Sequence, residues 1–216
     1  MKNLLVFASG DKDGGGSGFK KLVEAMKAGV LQANIVGVVS NYATGGVYKK
    51  ALELEIPFFH FSAPWTQLEY QRYVKATSAD FVALSGWLKL VYGLDPKTTF
   101  NIHPGPLPNF GGRGMYGHYV HEAVFGAYRC GKITHSEVCM HFVTEKYDRG
   151  PVFFRRQVKI LPEDTAGDIG SRVNKVEHEF QSIITNKVVT GQIRWDGKNP
   201  MSLVGAEEQK LVSVGI

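Results

Sequence analysis

The 216-residue sequence holds only two cysteines. Cys130 and Cys139 stand apart from any zinc-site spacing or disulfide framework, so they read as reduced thiols and no metal site is expected. No apolar run approaches the ~18 residues of a membrane span. The start of the chain passes directly into a strand-like Asn3–Ala8 without a signal-peptide layout, and a cytoplasmic protein is expected. Internal repeats and low-complexity tracts are also absent, which points to one well-cored domain. The glycine-rich loop at Gly14–Gly18 lacks both the Lys-Ser or Lys-Thr of a P-loop and the G-x-G-x-x-G dinucleotide spacing.

The rest of the composition is ordinary for a globular chain, with 44% hydrophobic and 21% charged residues. A net charge of +5 would suit nucleic acid, but Lys and Arg are interleaved with acids. The Lys20-Lys21 and Lys49-Lys50 pairs read as solvated helix faces, so no nucleic-acid partner is expected. A mildly basic surface also suits small anionic substrates.

Leu4 to Ala8 is apolar throughout, the mark of a strand covered on both faces. Further strands are expected at Asn34–Ser40, Pro57–Phe59, Phe81–Leu84 and Phe100–Ile102. Helical patterns fall between them, from Phe19, at Tyr48–Leu54 and at Gln67–Ala76. This alternation predicts an α/β fold with a doubly wound, mostly parallel sheet. Beyond about residue 130 the pattern changes to an antiparallel hairpin, Ser136–Val143 with Val152–Ile160, and then a long helix over Thr165–Val189. Residues 1–195 read as a single domain, with a nucleotide-binding half over 1–100 and a catalytic half over 101–195. Residues 196–216 read as a loose C-terminal extension.

Four places carry chemistry. The loop Gly16-Ser17-Gly18 follows the first strand and opens a helix, where backbone N–H groups and the helix dipole hold phosphate. Ser17 serves there either as a hydroxyl donor or as the N-cap. Asn101 and His103 share one side at the carboxyl end of a strand, because strand side chains alternate. An amide there can donate to a developing oxyanion, and a neutral imidazole can take a proton. Pro104, Pro106 and Pro108 stiffen the exit from that strand. Asp148 sits in the later hairpin turn, where a carboxylate either serves turn chemistry or orients and polarises His103. His141 reads as a hydrogen-bonded core histidine beside the site. Asn174, Glu177 and His178 lie on one helix face, at i, i+3 and i+4.

Asn101-Ile102-His103-Pro104 through Leu107-Pro108, then Gly112–Gly117, then His141–Thr144 leading to Asp148-x-Gly150-Pro151 occur in order. Over roughly residues 3 to 190 the chain resembles the folate-dependent formyltransferases, and among them the phosphoribosylglycinamide formyltransferase family. The resemblance implies a Rossmann-like fold and formyl transfer from 10-formyltetrahydrofolate, as cosubstrate, to the amine of glycinamide ribonucleotide. It implies a catalytic set of Asn101, His103 and Asp148, with nucleotide held by Gly16, Ser17, Gly18, Asn174 and Glu177. It implies folate contacts from Leu88, Lys89, Leu90 and Val91, from Asn101, and from Thr144, Glu145, Lys146, Tyr147 and Asp148. The partners expected are therefore small molecules, with the protein acting as a monomer or homodimer.

The chain departs from the family pattern on the nucleotide side. The loop between Gly10 and Gly16 is longer, Gly18 stands where members usually carry Asn, and Asn174 replaces Gln. Rival readings are formyl transfer to another amine, such as a nucleotide-linked amino sugar or the methionine of an initiator tRNA, and a non-catalytic folate- or nucleotide-binding module. The residues after Trp195 are too few for the RNA-binding domain expected of the tRNA version.

Overall fold

The computed structural model describes residues 1–211. Its elements run β1 (Lys2–Phe7), α1 (Ser17–Lys27), β2 (Ala33–Ser40), α2 (Gly46–Leu54), β3 (Phe58–His60), α3 (Gln67–Ala76), β4 (Phe81–Leu84) and β5 (Thr99–His103). There follow α4 (His118–Arg129), β6 (His135–Phe142), β7 (Val152–Lys159), α5 (Ala166–Val189) and β8 (Glu207–Gln209). The strands form one sheet in the order β3-β2-β1-β4-β5-β6-β7-β8. Pairing is parallel from β3 through β5. It is antiparallel on both sides of β6 and parallel again between β7 and β8. The doubly wound, mostly parallel sheet expected from the sequence is present, with β6 running against its neighbours.

The sheet is covered on both faces, which is why β1 reads as apolar without alternation. Leu4 and Val6 enter a large buried cluster with α1, α2, α4 and α5. Leu5 and Phe7 enter a second cluster, largely aromatic, with Phe61, Tyr70 and Trp87 around α3. Each such fully buried side chain contributes ~1.5–3 kcal/mol of hydrophobic stabilisation. The long helix α5 begins with a capping box in which Thr165 and Asp168 satisfy each other's backbone N–H groups. Ile169, Val173, Ile184 and Val188 then line its buried stripe.

Two stretches differ from the sequence reading. The helix α4 has no counterpart in it, because this helix buries only Val120 and Val124 and follows a glycine-rich segment. Residues beyond 196 do not hang loose over their described length. Trp195 Nε1 donates to the Asn199 carbonyl at 2.8 Å, Arg194 bridges Val204, and Glu207–Gln209 adds β8 to the sheet edge. Lys187 of α5 pairs with Glu207 and ties that strand to the body. Residues 212–216 lie outside the described part. Among the described residues no helix is long and apolar enough to cross a membrane.

Candidate active site

The sheet order reverses direction between β1 and β4, so the connections leaving them diverge and open a crevice at their carboxyl ends. Two loops close its floor. The Ser9 N–H donates to the Gly86 carbonyl at 3.0 Å, and the Leu88 N–H donates to Ser9 Oγ at 2.9 Å. Gly16 adopts a left-handed conformation, φ 75°, and is itself the N-cap of α1. Ser17 is therefore the first helical residue and not the cap, which corrects one of its two sequence readings. Among the described residues no side chain caps this helix, which leaves its opening N–H groups available to a ligand.

The crevice continues into a cavity of about 610 Å³ that runs from Gly16, Ser17 and Gly18 to Asn101, His103 and Asp148. Asn101 and His103 both project from β5 into it, as their i, i+2 spacing requires. Antiparallel β6 sets His141 opposite Asn101. His141 is buried, with Nδ1 2.8 Å from the Phe142 carbonyl and Nε2 3.1 Å from Asn101 Nδ2. Its Nε2 also lies 3.4 Å from Asp148 Oδ1. His141 thus stands between Asn101 and Asp148 and touches both.

His103 is buried, with Nε2 2.8 Å from the Phe110 carbonyl and Nδ1 3.8 Å from Asp148 Oδ1. A carbonyl only accepts, so Nε2 carries the hydrogen and Nδ1 of the neutral ring keeps its lone pair. Burial holds the imidazole below its usual value, against the opposing influence of the Asp148 charge and the Phe110 carbonyl. Burial also works against ionisation of Asp148, but His141, His103 and the Gly112 N–H outweigh it and keep the carboxyl below its usual range. The Gly112 N–H donates to Asp148 Oδ2 at 2.9 Å. Gly111 makes that approach possible, since a Cβ there would meet Asp148 Cβ at 2.8 Å and a Leu107 methyl at 2.4 Å. Asp148 itself is left-handed, φ 51°, an uncommon state for a residue with a side chain.

The opposite wall is α5. Asn174, Glu177, His178 and Gln181 fall at i, i+3, i+4 and i+7 and border the same cavity. Asn174 Nδ2 donates to Glu177 Oε2 at 3.3 Å. Burial pushes the Glu177 carboxyl up to about 7, partly offset by the Asn174 amide.

The residues named for folate divide between two spaces. Leu88, Lys89, Tyr147 and Asp148 border the large cavity with Asn101. Val91, Thr144, Glu145 and Lys146 border a second cavity of about 380 Å³, beside Leu94 and Thr99. Thr99 Oγ1 is buried there without a hydrogen-bond partner among the described residues. Leu90 borders neither space; its carbonyl accepts from Tyr70 OH at 3.1 Å, which anchors the segment to the aromatic cluster. Among the described residues no group of three or more His, Cys, Asp or Glu side chains is arranged to hold a metal ion.

Sequence reasoning overlooked several side chains in the cavity wall, among them Gln181, Ser85 and His121. Gln181 prolongs the Asn174–His178 face by one turn, a signal that helical periodicity offered. Ser85 follows β4 at the switch point, where position alone was the clue. His121 borders the cavity from α4, and its Nδ1 has no hydrogen-bond partner among the described residues.

Residues 2–185 match the family described as formyl transferase. The phosphoribosylglycinamide formyltransferase of Arabidopsis thaliana chloroplasts is 32% identical over 90% of this chain and 68% of its own length. The phosphoribosylglycinamide formyltransferase of Bacillus subtilis is 27% identical over 88% of this chain and 95% of its own. The crystal structure of glycinamide ribonucleotide transformylase 1 from Geobacillus kaustophilus superposes with a TM-score of 0.72 at 31% identity, covering 87% of this chain and 98% of that one. With sequence, fold and site in agreement, the chain belongs to the formyl transferase family, as a relative of its phosphoribosylglycinamide formyltransferases.

Proposed function

We propose that this enzyme transfers the formyl group of 10-formyltetrahydrofolate to the amine of glycinamide ribonucleotide, giving N-formylglycinamide ribonucleotide in de novo purine biosynthesis. The observation that carries the residue assignment is the meeting of Asn101, His103 and Asp148 in one cavity, with an uncapped helix start at its other end. That layout suits an acceptor with an anionic end and a nucleophilic end. The phosphate would lie against Gly16, Ser17 and Gly18, and the sugar diol against Glu177 and Asn174. The smaller cavity, largely apolar in its lining, suits the flat ring of the folate.

In the reaction the amine nitrogen bonds to the formyl carbon, and the bond from that carbon to the folate nitrogen breaks. Asn101 keeps one amide N–H free after serving His141 and gives it to the developing oxyanion. His103 Nδ1 accepts the proton that the amine loses and returns it to the departing folate nitrogen. Asp148 stabilises the imidazolium in between, because its carboxylate stands 3.8 Å from that same nitrogen. The reading carries with it a cytoplasmic enzyme of small molecules, a monomer or homodimer, with no resident metal and no nucleic-acid partner.

The deciding experiment offers 10-formyltetrahydrofolate together with glycinamide ribonucleotide or with a nucleotide-linked amino sugar, and compares kcat/KM. Glycinamide ribonucleotide is expected to win by a wide margin. Preference for the amino sugar would overturn the acceptor assignment.

A further inference from the structure

Gly18 is the second residue of α1, and there is no room for a side chain on it. A Cβ built there would lie 2.3 Å from Ser85 Oγ and 2.7 Å from Gln181 Oε1. The space is already taken by a polar pair from two other elements. Gln181 Nε2 donates to Ser85 Oγ at 2.8 Å across 96 residues of sequence. Both side chains are buried, Ser85 at 6% exposure and Gln181 at 2%, yet both border the cavity.

A buried polar pair is stable only when its donors and acceptors find partners. Here each member keeps one function unspent among the described residues. Ser85 Oγ accepts from Gln181, so its own O–H remains to be donated, and Gln181 Oε1 accepts from no protein donor. The loose ends lie against the first turn of α1, which no side chain caps. A hydroxyl with a spare hydrogen beside uncapped N–H groups completes a donor set for an oxyanion.

We propose that Ser85 donates its hydroxyl hydrogen to the phosphomonoester of the acceptor, and that Gln181 is the positioning residue that holds Ser85 in that orientation. The pair takes the place of a side chain at position 18, so this subsite requires the bare Gly18. Position 18, position 85 and position 181 then act as one unit. The inference rests on the acceptor being phosphorylated, as the proposed function has it.

The test is kinetic. Ser85→Ala removes one hydrogen bond to a charged group, so the acceptor KM is expected to rise ~10-fold or more while kcat falls far less and the folate KM holds. Gln181→Leu, similar in volume, is expected to give the same pattern more weakly. Inorganic phosphate, titrated into the enzyme by calorimetry, is expected to bind more weakly to Ser85→Ala than to the unaltered protein. Gly18→Ala is expected to raise the acceptor KM by itself, and to do so less when Ser85→Ala has already cleared the Oγ. An acceptor KM and a phosphate affinity both unchanged in Ser85→Ala would overturn the proposal. So would an equal loss in both KM values with a lowered melting temperature, the mark of a packing pair only. Phosphate binding weakened in Ser85→Ala, in an enzyme that fails to formylate glycinamide ribonucleotide, would sink the acceptor assignment and leave the subsite standing.

Discussion

Asn101 Nδ2 lies 3.1 Å from Nε2 of His141, and the Phe142 carbonyl at 2.8 Å from the other ring nitrogen fixes which nitrogen accepts. A carbonyl takes the Nδ1 hydrogen, so Nε2 of the neutral ring is bare and receives one amide hydrogen of Asn101, whereas the protonated ring carries an Nε2 hydrogen that Asp148 Oδ1, 3.4 Å away, accepts. The second amide hydrogen is thereby aimed into the cavity. His141→Ala frees the amide to rotate, and kcat is expected to drop ~10²-fold, as when an oxyanion donor is lost, with both KM values nearly constant. Steady-state kinetics with circular dichroism as the folding control decide the point, and an unchanged kcat would refute it.

Removal of the proposed proton carrier is expected to have a larger effect. His103→Ala and Asp148→Ala are each expected to lower kcat by ~10²–10⁴. Asp148→Asn keeps an acceptor for the Gly112 N–H, so it separates the carboxylate's charge from its hold on the loop. Turnover near normal in purified His103→Ala would end the assignment.

The pH profile of kcat follows from the burial of His103, which holds its pKa below the usual 6.5. In the proposed mechanism the neutral ring is the working form, so kcat is expected to be flat around neutrality and to fall as pH drops through that lowered value. Stability shares the sign. The unfolded chain takes up the proton first, below about pH 6.5, so His103 costs the folded state stability as the solution becomes more acid. Chemical denaturation at several pH values, with and without His103→Gln, measures this part.

Glu177 makes a separate prediction, because burial places its carboxyl at about 7. The ionised form is the better acceptor for a diol, so the acceptor KM is expected to fall as pH rises through about 7. Glu177→Gln is expected to flatten that dependence and to leave the kcat limb of His103 in place. A dependence that survives in Glu177→Gln belongs to another group.

Thr165→Ala removes the capping box at the start of α5. The expected loss is about 1 kcal/mol of stability, read as a lower denaturation midpoint. The cap stands two turns and more ahead of Asn174, so kcat/KM is expected to hold.

Much of this was legible in the chain itself. The buried parallel strands announced themselves by unbroken apolar runs, and Asn101 with His103 by period-two spacing at a strand end. Less visible was what depends on partners distant in sequence. The hydrogen bond of His141 to Asn101 requires the reversed strand β6 to fall into register, and no local pattern encodes that pairing. Gly18 reads from sequence as the absence of a phosphate donor, and only the fold shows Ser85 and Gln181 occupying its space. The helix α4 carried too narrow an apolar stripe to register, and β8 is held by one strand partner and the Lys187–Glu207 pair rather than by its own pattern.

The run Thr144–Asp148 borders the smaller cavity with its first three residues and the larger with its last two. A single inhibitor spanning both spaces would therefore rest along one continuous strip of five residues. Resistance has little freedom on such a strip. A substitution that expels the inhibitor also alters the wall seen by a natural ligand, and at Asp148 it removes the charge opposite His103.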